Sequence, residues 1–226
     1  MHPLLVLSCP SGIAGNMWLA GLLGLGADRE RILSLPATLR LGSARIDWTR
    51  RQDGGTLWTD LEVVDVDPAI DGTFDDLVRH LEQTELPSDL RAAAREVLHW
   101  RRRGDAGTEF SRQRFWGAEF TDTLIDVVGG VLAWDLLGRP RVTTTGIVDA
   151  GTATEGIREV LGPVPHHSGS CADPLVTATG AALLRHFWTP VPVPEEPPLA
   201  ACEIRSTFAR RHGLGPMVAS LHDSPV

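Results

Sequence analysis

A short unbroken apolar run, Leu4 to Leu7, opens the pattern, and the polar, glycine-bearing segment Ser8 to Asn16 follows it. A longer apolar stretch then runs from Met17 to Leu25. This order predicts strand, turn and helix, with Gly26 as the helix stop. Asp28 to Leu33 predicts a second short helix, closed before Pro36. Ala44 to Trp48 and Thr56 to Val66 predict two strands joined by a turn at Asp53-Gly54-Gly55. In the second strand Leu57, Leu61 and Val63 stand against Thr59, Asp60 and Glu62.

The rhythm then becomes helical. Phe74, Leu77, Val78 and Leu81 predict a helix over Phe74 to Gln83, with Thr73 as its cap. Another is predicted from Pro87 to Trp100, and the polar Gly104 to Arg112 stretch reads as a mobile loop. Phe120, Leu124, Val127, Val128, Val131 and Leu132 mark the buried face of a helix from Gly117 to Leu137. Arg141 to Val148 predicts a strand, Thr154 to Leu161 a short helix, and Thr179 to Trp188 a helix rich in small residues. Pro190 to Pro198 reads as an extended strap, and Cys202 to Met217 as a source of one edge strand before a loose C-terminus. Strands interleaved with helices predict an α/β fold, with α+β as the alternative, built on a small mixed sheet with helices packed on it. We expect residues 1–189 to form the main domain, and residues 190–226 to pack on it as strap and tail.

Composition narrows the chemistry. The net charge of -8 argues against a nucleic-acid partner, because phosphate binding needs a basic surface. No apolar run approaches the roughly 18 residues of a membrane span. The first residues lack the basic start and long apolar run of a signal peptide, so a cytoplasmic protein is the expectation. Cys9, Cys171 and Cys202 form no C-x-x-C pair and suit reduced thiols. The 226-residue chain has no lysine and no tyrosine. Lysine Schiff-base chemistry, including pyridoxal phosphate anchoring, is therefore excluded, and proton transfer falls to Asp, Glu, His and Cys. Arg101, Arg102 and Arg103, with Arg112 and Arg114, form a basic cluster: a solvated helix end or an anion site.

Three constellations stand out. The turn holding Ser11, Gly12, Gly15 and Asn16 would aim backbone N–H groups at a helix N-terminus, where an anion binds; the alternative is a tight packing turn. Asp122 and Asp126 lie one helical turn apart on one face and could hold a metal or share a proton, or cap neighbouring backbone. Glu119 lies one turn earlier, with Arg114 placed to pair with these acids. His166, beside His167, could act as a general base with Asp173 or Cys171 as partner. Asp149 and Glu155 are further acid–base candidates.

The stretch Leu7-Ser8-Cys9-Pro10-Ser11-Gly12-Ile13-Ala14-Gly15-Asn16-Met17 resembles the strand-then-F-D-C-F-S-G-I-S-G-D-M opening of the LarC family, the nickel-insertion proteins of the lactate-racemase cofactor pathway. Arg114 to Gly129 is similar to that family's H-F-H-E-V-G-A-V-D-S-I-x-D-I-V-G, and Thr177 to Leu184 to its T-P-T-G-A-A-L-L. Arg211 to Gly215 echoes a final G-Y-G-A-G. Three blocks in order over about 200 residues carry the resemblance to the family's N-terminal domain.

The resemblance implies nickel handling and a small organic, phosphorylated ligand, with Thr179 and the first turn at the ligand site. The departures weigh against inherited metal chemistry. Ser8 and Asn16 replace the family's loop aspartates, while Arg114, Trp116 and Gly117 replace its two histidines and glutamate. Arginine stays protonated and cannot ligate nickel. The His-rich insert after the second strand, a His-Gly pair before Val148-Asp149-Ala150-Gly151 and the C-terminal nucleotide-binding domain, which in the family uses CTP with a divalent metal, have no counterpart among these 226 residues. Three functions stay open. In the first, the chain delivers or handles nickel, with a separate partner chain or as a homo-oligomer.

The second is a repurposed, metal-independent cyclase, lyase or isomerase of specialised metabolism. There Asp122, Glu119 and His166 would serve as acid–base groups, Arg114 as anion clamp and Trp116 as apolar wall. The third is a non-catalytic binding subunit.

Overall fold

The computed structural model describes residues 3–53, 55–105, 114–149, 153–169, 176–205 and 215–223. The first strand, β1 (Leu4–Cys9), is buried along almost its whole length, which explains why it reads as a continuous apolar run rather than an alternating one. It pairs in parallel with β6 (Arg141–Asp149) and antiparallel with β9 (Met217–His222). These strands belong to a seven-stranded mixed sheet among the described residues, in the order β2 (Arg45–Asp53), β3 (Thr56–Val64), β8 (Ala200–Ile204), β9, β1, β6 and β7 (His166–Ser168). The fold is α/β, with helices packed on this sheet.

At one edge, β2 (Arg45–Asp53) and β3 (Thr56–Val64) form the expected hairpin, paired from Arg45 and Val64 to Asp53 and Thr56. At the other edge, β7 (His166–Ser168) extends the sheet beyond β6. The C-terminal segment departs from the expected single edge strand. It supplies β8 (Ala200–Ile204) and β9, both inside the sheet between β3 and β1. Cys202, Ile204, Met217 and Ala219 are all buried, so apolar burial favours the interior position over an exposed edge. The proline-rich strap is tied to β6, where Thr189 N–H donates to the Val142 carbonyl and the Thr143 hydroxyl to that of Val191, at 2.7 and 2.9 Å.

Helix α1 (Gly15–Gly24) packs on β3, β8 and β9 and against the long helix α6 (Gly117–Leu136). Close approach there favours glycine: a Cβ on Gly129 would meet Leu19 at 2.8 Å, and one on Gly130 would meet Trp18 at 3.0 Å. Trp18 also stacks on Phe187 of α8 (Ala178–Phe187), with ring centroids 5.5 Å apart. Short α2 (Arg29–Leu33) is capped by Asp28. It closes before Pro36, as expected; Pro36 itself enters the first turn of a further short helix, α3 (Leu35–Thr38), where its missing N–H has no partner to lose.

Thr73 and Asp76 form a capping box at the start of α4 (Phe74–Glu82). Thr73 lies on β4 (Gly72–Thr73), which pairs with β5 (Arg114–Phe115). Helix α5 (Ser88–Gly104) runs one turn past the expected end at Trp100, because three arginines of good helix propensity follow. It packs against α8 and α7 (Glu155–Leu161). Most of the Gly104 to Arg112 loop, and Cys171, Asp173 and Arg211 to Leu214, lie outside the described residues. Among the described residues, no helix is long and apolar enough to cross a membrane.

Candidate functional site

The extra turn of α5 carries Arg101 into the space between the N-termini of α1 and α8 and the first half of α6. A cleft of about 440 Å³ opens there, lined by Gly15, Asn16, Arg101, Asp105, Glu119, Asp122, Thr123, Asp126, Thr177 and Thr179.

Arg101 organises one wall. It is buried, and its guanidinium donates to the Thr179 hydroxyl at 3.1 Å, the Asp105 carboxylate at 2.6 Å and the Glu119 carboxylate at 3.1 Å. The planar group also lies over the Phe115 ring at 4.6 Å. One fork of donors thus ties α5, α6 and α8 together, a geometry a lysine ammonium could not reproduce.

Asp126 forms the floor. It is 4% exposed, and its Oδ1 has no hydrogen-bond partner. The Asn16 backbone N–H favours the charged form of Asp126, as a helix N-terminus does for a nearby carboxylate. The Asn16 amide group points elsewhere, donating to the Leu61 carbonyl at 3.2 Å. Burial holds the Asp126 carboxyl well above the usual range; the Asp122 charge adds to this, against the pull of Arg101 and the Asn16 N–H.

Asp122 is exposed on α6 and lines the open cleft. Desolvation there raises it to about 6, with Arg101 opposing and Glu119 reinforcing. Asp105 is likewise raised by burial, against Arg101.

The structure therefore gathers Gly15, Asn16, Glu119, Asp122, Asp126 and Thr179 at one place. It sends the other expected site residues elsewhere. Ser11 is buried with its hydroxyl unpartnered, and Gly12, at φ 74°, closes a turn onto the Cys9 carbonyl; neither lines the cleft. Arg114 does not pair with the α6 acids. It is exposed on β5 and bonds Asp71 through Nη2 and Nε at 3.0 and 2.9 Å. The reason is strand pairing with β4, which turns that end of the chain away from the cleft.

Trp116 is 67% exposed and forms no cleft wall. His166 sits half-buried on edge strand β7, its Nδ1 2.7 Å from the Val164 carbonyl oxygen, and is not among the cleft residues. The basic cluster divides: Arg101 enters the cleft, whereas Arg102 and Arg103 lie over the Phe74 and Trp100 rings. Those two arginines line a larger open depression of about 600 Å³, whose lining includes none of the α6 acids.

Sequence reasoning missed Arg101, Asp105, Thr123 and Thr177 as cleft residues. One signal was present, the four-residue spacing of Arg101 and Asp105 that pairs side chains once the helix continues. Among the described residues, no three His, Cys, Asp or Glu side chains are grouped to hold a metal ion.

The family model described as nickel insertion protein matches residues 5–204. A pyridinium-3,5-bisthiocarboxylic acid mononucleotide nickel insertion protein of Akkermansia muciniphila is 26% identical over 214 residues, covering 84% of this chain and 52% of that protein. A putative nickel insertion protein of Methanococcoides burtonii is 29% identical over 199 residues, covering 80% and 49%. One from Desulfotalea psychrophila is 28% identical over 199 residues, covering 82% and 51%. The chain spans about half the length of the curated relatives it matches. No solved structure matches it. With the match running through β1, the cleft helices and β8, the chain belongs to the nickel insertion protein family.

Proposed function

We propose that this protein takes part in nickel insertion into a small organic ligand of the kind its relatives' names give, a pyridinium bisthiocarboxylic acid mononucleotide, and that the Asp126 cleft holds that ligand. The observation that carries this reading is convergence. The three segments with family resemblance, around Gly15, Asp122 and Thr179, are distant in sequence yet meet on one cleft.

Nickel is here the cargo, and its preference for nitrogen and sulfur donors is not met by the carboxylates and hydroxyls of the cleft. The thiocarboxylates of such a ligand would bring sulfur, so the protein need only position the ligand and manage protons. Asp122, raised to about 6, suits proton exchange near neutral pH. Glu119 is held by Arg101 and so positions rather than exchanges. Neither the relatives' names nor the geometry adds support for a lyase, cyclase or isomerase.

The test is to incubate the purified, tag-free protein with nickel and the mononucleotide and to follow nickel-bearing product by mass spectrometry. Product that depends on the protein and falls in Asp122→Asn supports the reading. Equal product without protein, or none under any condition, refutes it.

A further inference from the structure

Of the basic cluster that ends α5, only Arg101 serves the Asp126 cleft. Arg102 and Arg103 are exposed on the last turn of the helix. With Glu96, His99 and Trp100 they line the depression of about 600 Å³, which shares no residue with the cleft. Arg102 lies over the Phe74 ring of α4, 4.8 Å from its centroid, and Arg103 over Trp100 at 4.9 Å. Arg185 of α8 lies over the same Trp100 ring at 5.0 Å.

Two like charges are thus held at one indole, with a third beside them on α5. Among the described residues no ion pair joins any of the three to a carboxylate. Glu96, the one acid lining the depression, pairs with His186 at 3.3 Å. This unneutralised group stands in a chain whose net charge is -8. A guanidinium placed over a ring engages it through its face, which leaves the in-plane N–H donors free. Ring contact also restricts the side chain, so less freedom is lost when an anion is gripped.

We propose that this depression is a second binding site, for the phosphate group of a small molecule, held by Arg102 and Arg103 with Arg185 adding its charge. Phosphate matches the arginine fork and would relieve the repulsion at Trp100. The volume lies within the roughly 300–1,000 Å³ of small-molecule sites, and three arginines are too few for a nucleic-acid face. The inference concerns a different place from the proposed function and stands without nickel insertion.

The experiment titrates the full, tag-free chain by calorimetry with inorganic pyrophosphate and, separately, with adenosine monophosphate. Arg102→Gln and Arg103→Gln are titrated beside it, with Arg45→Gln as a variant that removes a positive charge elsewhere. Thermal melting of each variant checks folding. One anion per chain is expected, weakened by at least roughly tenfold in either α5 variant, the loss of one charge-assisted hydrogen bond. Binding should be unchanged in Arg45→Gln and should weaken as salt is raised. Tighter pyrophosphate marks a free phosphate and tighter adenosine monophosphate a phosphate carried on a larger molecule; either upholds the site. Should one α5 variant fail to fold, the other decides. No binding to the native chain, binding unchanged in a folded α5 variant, or an equal loss in Arg45→Gln overturns it.

Discussion

Gly15 on α1 lacks a side chain at the one point where the Asp126 carboxylate of α6 fills the space a Cβ would occupy. The two residues are 111 positions apart in the 226-residue chain (126 − 15 = 111). Gly15→Ala should therefore destabilise the protein by about 1–3 kcal/mol, the range for an overpacked core. Urea denaturation measures it. Combined with Asp126→Ala, the penalty should shrink; additive losses would show that the two do not touch.

Arg101 bridges three elements while almost wholly buried. Arg101→Ala would remove the cation that pairs with Asp105 and Glu119, at a cost of about 3–5 kcal/mol. Glu119→Gln in the same chain should recover part of that loss, because it removes one uncompensated charge. No recovery in chemical denaturation would place the loss in packing against Phe115 instead.

The raised carboxyls of Asp122 and Asp126 make stability depend on pH with a definite sign. A folded-state value above the unfolded one means the native state binds more protons, so stability falls as pH rises. The contribution is present below about 4, and for Asp122 is lost as pH rises through about 6. For Asp126 the loss continues higher. Asp76, pulled down to about 2 by hydrogen bonds from Thr73, acts with the opposite sign and only below that window. Asp126→Asn should flatten the decline between pH 5 and pH 8, read from urea midpoints across that range. An unchanged slope would mean that the group is not raised.

A chain ending at residue 205 keeps β8 but removes β9, which pairs with both β8 and β1. Two strands would then hold unpaired backbone groups in the middle of the sheet. We expect an insoluble or unfolded product by circular dichroism. A folded, monomeric product would contradict the sheet order.

Trp116 is exposed and outside the cleft. Trp116→Ser should change stability by less than about 1 kcal/mol and leave ligand binding intact by calorimetry. Loss of binding would return the ring to the site.

The sequence alone determined the local elements, because they are written in short-range patterns. The apolar period of α6, the hairpin around Asp53 to Gly55 and the Thr73 cap each depend on residues a few positions apart, and such signals survive without knowledge of the rest of the chain. It also brought out the acids on one face of α6, since i and i+4 share a face wherever the helix lies.

Tertiary structure decided what no local pattern carries. β9 lies between β8 and β1 because its buried residues and backbone bonds are satisfied only by strands distant in sequence. Arg114 and Arg101 look alike in sequence as members of one basic cluster. Strand pairing carries Arg114 to Asp71, and one further turn of α5 drives Arg101 into the cleft. An arginine's role follows from the partners its fork of donors meets, and those partners are assembled only when α5, α6 and α8 pack together.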